Sequence, residues 1–296
     1  MKILLVDLDS KIPNLALMKI SAYHKSIGDE ISFNSGQKAY LSCIFEKSKC
    51  RIDSFYSLGI PMQIGGVALD PKLVLPDRIE KMKPDYSLYP NYDYSLGYTY
   101  RACPRRCSFC VVPQMPQDQT HHSIYEFWDR NHKKIRLLNN NTFADPLWKE
   151  TFSEIIENDL ILIEEGFDIR LLDDEKAFWL SKVKFLKQIH FAFDNLVDEP
   201  VAKSGIALLK RHGIRPKRLM FYVLCGYNTD FEEDVYRIKL LKSLGVDPFV
   251  MLYHKRSVLL NEFARWVNRF YFRLSFQEFL RFRNRHYLLG GIPNEL

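Results

Sequence analysis

The 296-residue chain contains no run of about 18 apolar residues, so no segment is long and apolar enough to cross a bilayer as a helix. Its opening, Met1-Lys2-Ile3-Leu4-Leu5-Val6-Asp7, carries too short an apolar run for an export signal, and no small-residue cleavage site follows. It reads as a short buried strand, and a cytoplasmic location with reduced cysteines is expected. No low-complexity segment and no short internal repeat stands out. The composition, 47% hydrophobic and 26% charged, is that of a soluble globular chain long enough for one large domain or two small ones. Cysteine is scarce at six, and no fourth Cys or His lies at zinc-finger spacing near the main cluster, which argues against a closed structural zinc site.

What is present is unevenly placed. The formal net charge is +6, and the stretch from Lys255 to Gly290 accounts for all of it: Lys255, Arg256, Arg265, Arg269, Arg273, Arg281, Arg283 and Arg285 stand against Glu262 and Glu278. A basic, aromatic-rich tail suits contact with nucleic acid or another anion; a solvated helical face is the plainer use. Three of the six cysteines fall within eight residues, Cys103-Pro104-Arg105-Arg106-Cys107-Ser108-Phe109-Cys110, spaced Cys-x-x-x-Cys-x-x-Cys. A loop that short can turn three thiolates towards one point, and thiolates ligate iron–sulfur clusters and zinc. Three ligands leave one metal position open, as catalytic sites require. A redox-inert cysteine knot or a zinc site is the alternative. Disulfides are disfavoured, because cysteines this close cannot all pair in good geometry.

The spacing, with the aromatic Phe109 just before the last cysteine, resembles that of the radical S-adenosylmethionine enzymes. The resemblance implies that Cys103, Cys107 and Cys110 hold a 4Fe–4S cluster whose open iron chelates the amino and carboxylate groups of S-adenosylmethionine. One electron then cleaves the sulfonium to methionine and a 5′-deoxyadenosyl radical, which abstracts a hydrogen atom from a substrate. A partial (β/α)6 barrel and an electron donor of flavodoxin or ferredoxin type are implied with it. A weaker resemblance covers the start. Asp9-Ser10-Lys11-Ile12-Pro13-Asn14-Leu15-Ala16 and Gly65-Gly66 are similar to the cobalamin-binding-type domain that precedes many radical enzymes. The motif Asp-x-His-x-x-Gly, whose His ligates cobalt, occurs nowhere in the chain, so a degenerate domain without cobalamin is expected.

In chain order, residues 1–85 read as a small Rossmann-like α/β domain, 86–255 as the barrel and 256–296 as a helical extension. The first domain alternates strand and helix, with Gly28 ending the first helix. Prolines then mark a linker holding a short helix near 78–82. Strands are expected at 96–102, 134–138, 167–171, 188–193, 218–224 and 247–252. Helices between them are expected at 123–131, 146–164, 174–181, 199–212 and 231–244, with Gly213 and Gly245 ending the last two. Such repeats place a site at the carboxyl ends of the strands. Two tail helices, at 258–270 and 276–288, would cover the open side, burying Leu259, Leu260, Phe263, Trp266 and Phe270 on one face and turning their arginines to solvent.

Each strand end offers polar candidates. The second strand ends in Asn139-Asn140-Asn141; the family meets the cofactor's amino group there, often through Gly-Gly-Glu, which is absent, so Asn140 and Asn141 are positional candidates against a turn-forming use. In the third strand Asp168 and Arg170 share one side. Arg170 could fork onto the methionine carboxylate or pair internally with Asp168. Asp194 suits the ribose hydroxyls or a helix cap towards Glu199. Gly226 would let adenine approach the backbone, though apolar burial explains that strand end nearly as well. Cys225 is a hydrogen-atom donor or, more simply, a buried core residue. Cys43 and Cys50 lack the spacing for a second cluster. His121, His122, Tyr253 and His254 are candidates to meet the substrate, or polar surface residues. The function expected is that of a radical S-adenosylmethionine enzyme acting on an unidentified substrate, with nucleic acid one candidate and no membrane partner. A non-catalytic iron–sulfur accessory protein and a nucleic-acid-binding module are the alternatives.

Overall fold

The computed structural model describes residues 1–164, 166–254 and 257–291, with the backbone alone at 164 and 291. Lys255 and Arg256 of the basic stretch lie outside the described residues. The chain is mixed α/β, and every strand pair with a defined register among the described residues is parallel. Contacts divide it into two compact units, Met1–Asn140 with Asp145–Leu162, and Asn141–Ala144 with Ile163–Leu296.

The first unit opens with a four-stranded sheet, β1 (Lys2–Asp7), β2 (Glu30–Ser32), β3 (Lys38–Ser42) and β4 (Met62–Gly65), in the order β2-β1-β3-β4. Alternation along β1 sends Ile3 and Leu5 to one face, against Leu17 and Ile20 of helix α1 (Leu15–Ser26) and Ile79 of α3 (Asp77–Glu80). Leu4 goes to the other face, where Phe55 of the short α2 (Asp53–Tyr56) packs. Helices on both faces make this a doubly wound sheet, as the alternating pattern predicts. Two glycines follow from geometry. Gly28, at φ 82°, lets the chain leave α1. Gly66, at φ 117°, passes so close to β3 that a Cβ would lie 2.0 Å from the Cys43 carbonyl oxygen.

The rest of this unit holds β5 (Tyr94–Gly97), β6 (Lys134–Leu137), α4 (Trp148–Glu157) and the start of β7 (Ile161–Glu164). β5 and β6 pair in register from Tyr94↔Lys134 to Gly97↔Leu137, and the Ile161 N–H donates to the Lys133 carbonyl at 3.0 Å. Three expectations fail here. β5 stops at Gly97 instead of running to 102, because the Phe127 ring fills the place of a Cβ at 2.3 Å and the next amides turn onto a side chain. No helix forms over 123–131; a single turn, Ile124–Glu126, stands there. Phe127 and Trp128 are both buried, and adjacent residues cannot share one helical face. The helix expected over 146–164 ends at Glu157. Asp159 takes a left-handed φ of 54°, and the Leu160 N–H reaches back to the Ile155 carbonyl at 3.0 Å, the hydrogen bond that closes a helix C-terminus.

In the second unit, α5 (Asp174–Lys182) and β8 (Lys184–Phe185) precede β9 (Ile189–Ala192), α6 (Glu199–Arg211), β10 (Leu219–Cys225), α7 (Phe231–Ser243) and β11 (Asp247–Leu252). β9, β10 and β11 form a parallel sheet with β10 central. One face of β10, carrying Leu219, Phe221, Val223 and Cys225, is fully buried. The strand expected over 167–171 is replaced by one bridge, Phe167 to Phe191, and a turn at Ile169–Leu171. Asp168 causes the change: its carboxylate accepts from the Arg170 N–H at 3.1 Å, a local bond that competes with a strand.

Helices α8 (Val258–Asn268) and α9 (Phe276–Phe282) follow. Asn268 seals the edge of β11: its side chain accepts from the Val250 N–H at 2.7 Å and donates to the Val250 carbonyl at 3.0 Å, in place of another strand. Phe263 and Trp266 are buried as expected, as are Phe276, Phe279 and Leu280, but Leu259 and Leu260 are only half-buried. Phe270 is not buried; it ends α8 at φ 57° and is 49% exposed. α9 stops at Phe282 and not at 288, because Asn284 turns left-handed at φ 55° and the Arg285 N–H bonds the Leu280 carbonyl at 2.8 Å. Nor do the tail arginines all simply face solvent: Arg265, Arg283 and Arg285 converge on the buried carboxylate of Glu262.

A buried ion pair ties the second unit together. Arg237 of α7, with no exposed surface, donates to the carbonyls of Phe193 and Asp194 at the end of β9 (2.9 Å each) and of Leu224 near the end of β10 (2.8 Å). Asp234, one turn earlier, neutralises it at 2.5 Å. The substitution Arg237→Met leaves Asp234 buried without its cation and should cost about 3–5 kcal/mol. It will lower the urea midpoint of unfolding more than the Asp234→Asn/Arg237→Met double variant does, and a single variant as stable as wild type would refute the assignment.

The first unit supplies a pH test. Burial of Asp9 opposes its charge, but the N–H groups of Ile44 and Phe45 (2.8 and 2.9 Å), with Ser48 and Arg51, outweigh it and hold the carboxyl below the usual carboxylate range. A lowered folded pKa gives stabilisation that is full above the unfolded value, about 3.9, and is lost as pH falls through the folded value. The urea midpoint of Asp9→Asn should therefore lie below wild type at pH 7, and the gap should close as the pH is taken down through that window.

Candidate functional site

The cysteine loop belongs to the first unit and is tied at its base by amide side chains. Just past β6, Asn139 accepts the N–H groups of Thr99 (2.8 Å) and Tyr100 (3.1 Å) and donates to the Thr99 hydroxyl (2.8 Å). Asn140 donates to the Arg101 carbonyl. The chain closes on itself where the His122 N–H meets the Thr99 carbonyl at 2.9 Å, so residues 99–122 form one long loop with a pinned neck. Arg101 stacks on the Tyr98 ring, 4.3 Å from its centroid, and pairs with Glu80, which also holds Lys19 at 2.7 Å.

Within the loop, Gln117 is the clasp. Its side-chain oxygen accepts from the Cys103 N–H at 2.9 Å, and its amide nitrogen donates to the carbonyls of Val112 (2.7 Å) and Met115 (3.0 Å). The Cys110 N–H closes a turn on the Cys107 carbonyl at 3.0 Å, and the Val112 N–H points at the Cys110 sulfur at 3.4 Å. Cys103, Cys107, Phe109 and Cys110 are half-buried, and none of the three thiols is in a disulfide. A set of three soft sulfur donors on one short clasped loop fits an iron–sulfur cluster in chemistry. Their side chains are not drawn together: among the described residues no three His, Cys, Asp or Glu side chains converge to hold a metal ion.

His121, at the loop's return, is held by Asp145. The ring Nδ1 donates to Asp145 Oδ2 at 2.6 Å, and the other carboxylate oxygen accepts the Leu147 N–H at 2.9 Å. Asp145 is 1% exposed, so its charge is spent on fixing this ring and the start of α4. His122 meets Glu126 at 3.0 Å near the surface.

The second unit contributes its own polar strand ends. Asp168 receives Arg170 at 2.7 Å and the Asn141 amide at 3.2 Å, and Arg170 extends towards Asp198 at 3.8 Å. The internal pair that the sequence allowed is thus formed. Asp194 accepts from the Leu224 N–H at 3.0 Å, joining the ends of β9 and β10, and burial pushes its carboxyl above the ordinary range. Gly226 stands at φ 74°, and the room that a Cβ would take is filled by Leu260, 2.7 Å away. The close approach at this glycine is therefore made by helix α8. Cys225 is fully buried, and burial raises its thiol pKa well above normal, so it stays protonated. Tyr253 packs edge-on against Tyr227 and His254, with centroids 4.5 and 4.4 Å apart.

Several of these residues carry no sequence signal strong enough to find them. Gln117 follows two prolines in an otherwise unpatterned loop. Asn139 was visible only as one of three amides. Arg237 and Asp234 had a usable signal, since an acid and a base three residues apart share a helix face, but their spacing alone suggests a surface pair.

Removing the clasp with Gln117→Leu should free the Cys103 amide and speed alkylation of the three loop thiols several-fold, while overall stability falls by no more than about 1.5 kcal/mol. Unchanged thiol reactivity in that variant would show that the loop is held elsewhere. No protein-family model and no curated protein sequence matches the chain.

Proposed function

We propose that the chain is a radical S-adenosylmethionine enzyme, with its parallel strands forming the partial barrel of that family. The observation that carries the reading is the spacing of Cys103, Cys107 and Cys110, with Phe109 before the last, on a loop that leaves the carboxyl end of a parallel strand. The clasp adds support: Gln117 and the Asn139–Thr99 neck restrict the loop through its backbone groups, and the three cysteines are in no disulfide. Within each unit the strands pair in parallel, β5 with β6 in the first and β10 with β9 and β11 in the second, as strands of βα repeats do. When bound, the cluster supplies the single electron that cleavage of the cofactor needs, drawn from a flavodoxin or ferredoxin.

The chain's own residues then have separate tasks. The three thiolates would hold the cluster, with the aromatic Phe109 next to Cys110 in the chain. Asn140 braces the backbone at Arg101, where the loop begins. In the second unit, Asn141, Arg170 and Asp194 supply the amide, cation and carboxyl that suit an amino acid and a ribose, and the glycine at 226 shapes the end of β10. No cobalamin takes part, as the missing cobalt-ligand motif implies.

A second reading, a cluster-binding accessory protein without cofactor cleavage, is favoured by two observations: Arg170 pairs with Asp168, and Leu260 fills the space at Gly226. Anaerobic reconstitution with iron and sulfide, followed by S-adenosylmethionine and dithionite, separates the two. The enzyme reading expects a brown protein that forms 5′-deoxyadenosine, and a Cys103→Ala/Cys107→Ala/Cys110→Ala variant that keeps neither the colour nor more than background iron. Full cluster loading with no 5′-deoxyadenosine favours the accessory protein; iron retained in the triple variant sinks both.

A further inference from the structure

The described tail, residues 257–291, contains six Arg and no Lys against Glu262 and Glu278. Three of these arginines are gathered. Glu262, whose side chain is only 5% exposed, receives Arg265 at 3.0 Å, Arg283 at 3.4 Å and Arg285 at 3.6 Å. One carboxylate therefore organises three guanidiniums and neutralises only one of them. The three remain 40%, 37% and 41% exposed, and each has more N–H donors than a shared carboxylate can accept. Beside them lie two rings with no place in the core. Phe282 is 72% exposed, and Tyr287, whose hydroxyl accepts from Arg285 at 3.3 Å, is 60% exposed.

From this juxtaposition we propose that the Glu262-centred arginine cluster, with Phe282 and Tyr287, is a docking surface for single-stranded nucleic acid. The planar guanidiniums take phosphates in bidentate fashion, and the two rings offer faces on which unpaired bases stack. Paired bases in a duplex present no free face, so the rings select single strands. An anionic membrane fits poorly: an interfacial helix needs its apolar face for lipid, and α9 has spent Phe276, Phe279 and Leu280 on the protein core. The inference stands apart from the proposed cluster chemistry, because every residue it uses lies in the tail.

The test is fluorescence anisotropy with a labelled 12-nucleotide oligouridylate, its DNA counterpart, a duplex of the same length and phosphatidylglycerol vesicles. Wild type should bind the single strands more tightly than the duplex, with affinity falling as salt rises. Phe282→Ala/Tyr287→Ala, a change at exposed positions, should weaken binding about tenfold or more. Arg283→Gln should flatten the slope of log affinity against log salt by about 0.7. Circular dichroism melts must match wild type for both variants; a variant that melts early is replaced by Phe282→Ser or Arg283→Ala, the latter removing the same charge. The proposal is overturned if oligonucleotides fail to bind at low salt, if vesicles bind and oligonucleotides do not, if duplex equals single strand, or if folded variants bind as wild type does.

Discussion

The buried pair of Arg237 and Asp234 is the interaction on which the second unit depends. A guanidinium removed from water must place its donors inside the protein, and here Nη1 and Nη2 find carbonyls near the ends of two neighbouring strands while Nε is left without an acceptor. The carbonyls of Phe193 and Asp194 lie just past the end of β9, beyond its ladder. Asp234 supplies the counter-charge and also accepts from the Thr229 hydroxyl and the Gly226 N–H, so one helix turn sets the path of the chain beyond β10. The placement of Asp194, Gly226 and the start of α7 follows from where Arg237 sits. Replacing the pair by apolar residues would save desolvation but would lose this fixing of strand ends, which is the part that matters for a site built there.

Amide side chains play the corresponding role in the first unit. Asn139, Asn140 and Gln117 each substitute for a neighbouring strand, meeting backbone groups that a loop of irregular path leaves open. This explains how a long excursion holds its cysteines near the carboxyl end of β5 without regular structure of its own. A neutral amide has both a donor and an acceptor, so one residue can pin two strands of a loop at once. A charged residue in the same place would have left one of the two kinds of backbone group unmet.

Helix ends account for most of the difference between the expected and observed elements. Where glycine ends a helix, as at Gly28, Gly213 and Gly245, the stop was legible, because φ values of 82°, 83° and 75° are ones that only glycine adopts freely. Where Asp159, Phe270 and Asn284 make the same left-handed turn, the sequence suggests continuation, and the helices end earlier than their patterns imply. Asn and Asp reach that conformation through short polar side chains, a weaker preference that the tertiary structure exploits. The exchange of a strand over 167–171 for a turn has a similar origin: alternation of Phe167, Ile169 and Leu171 has the period of a strand, yet the Asp168 carboxylate bonds two residues ahead and wins locally.

By itself the sequence determined the alternating α/β order, the parallel strands, the apolar faces of the tail helices and the three thiols of one short loop. Each of these is a local pattern: a period of two or 3.6 residues, a glycine at a helix end, or a spacing within eight residues. Only the tertiary structure decided that Arg170 pairs with Asp168, that Leu260 enters the space above Gly226, that Gln117 clasps Cys103, and that three tail arginines share Glu262. Arg170 with Asp168 and Arg265 with Glu262 are near in sequence, and the sequence leaves their pairing open; the other partners lie at distances in sequence that no periodicity encodes. Most were chosen because a buried charge or an unmet backbone group must find a complement in whichever element packs against it.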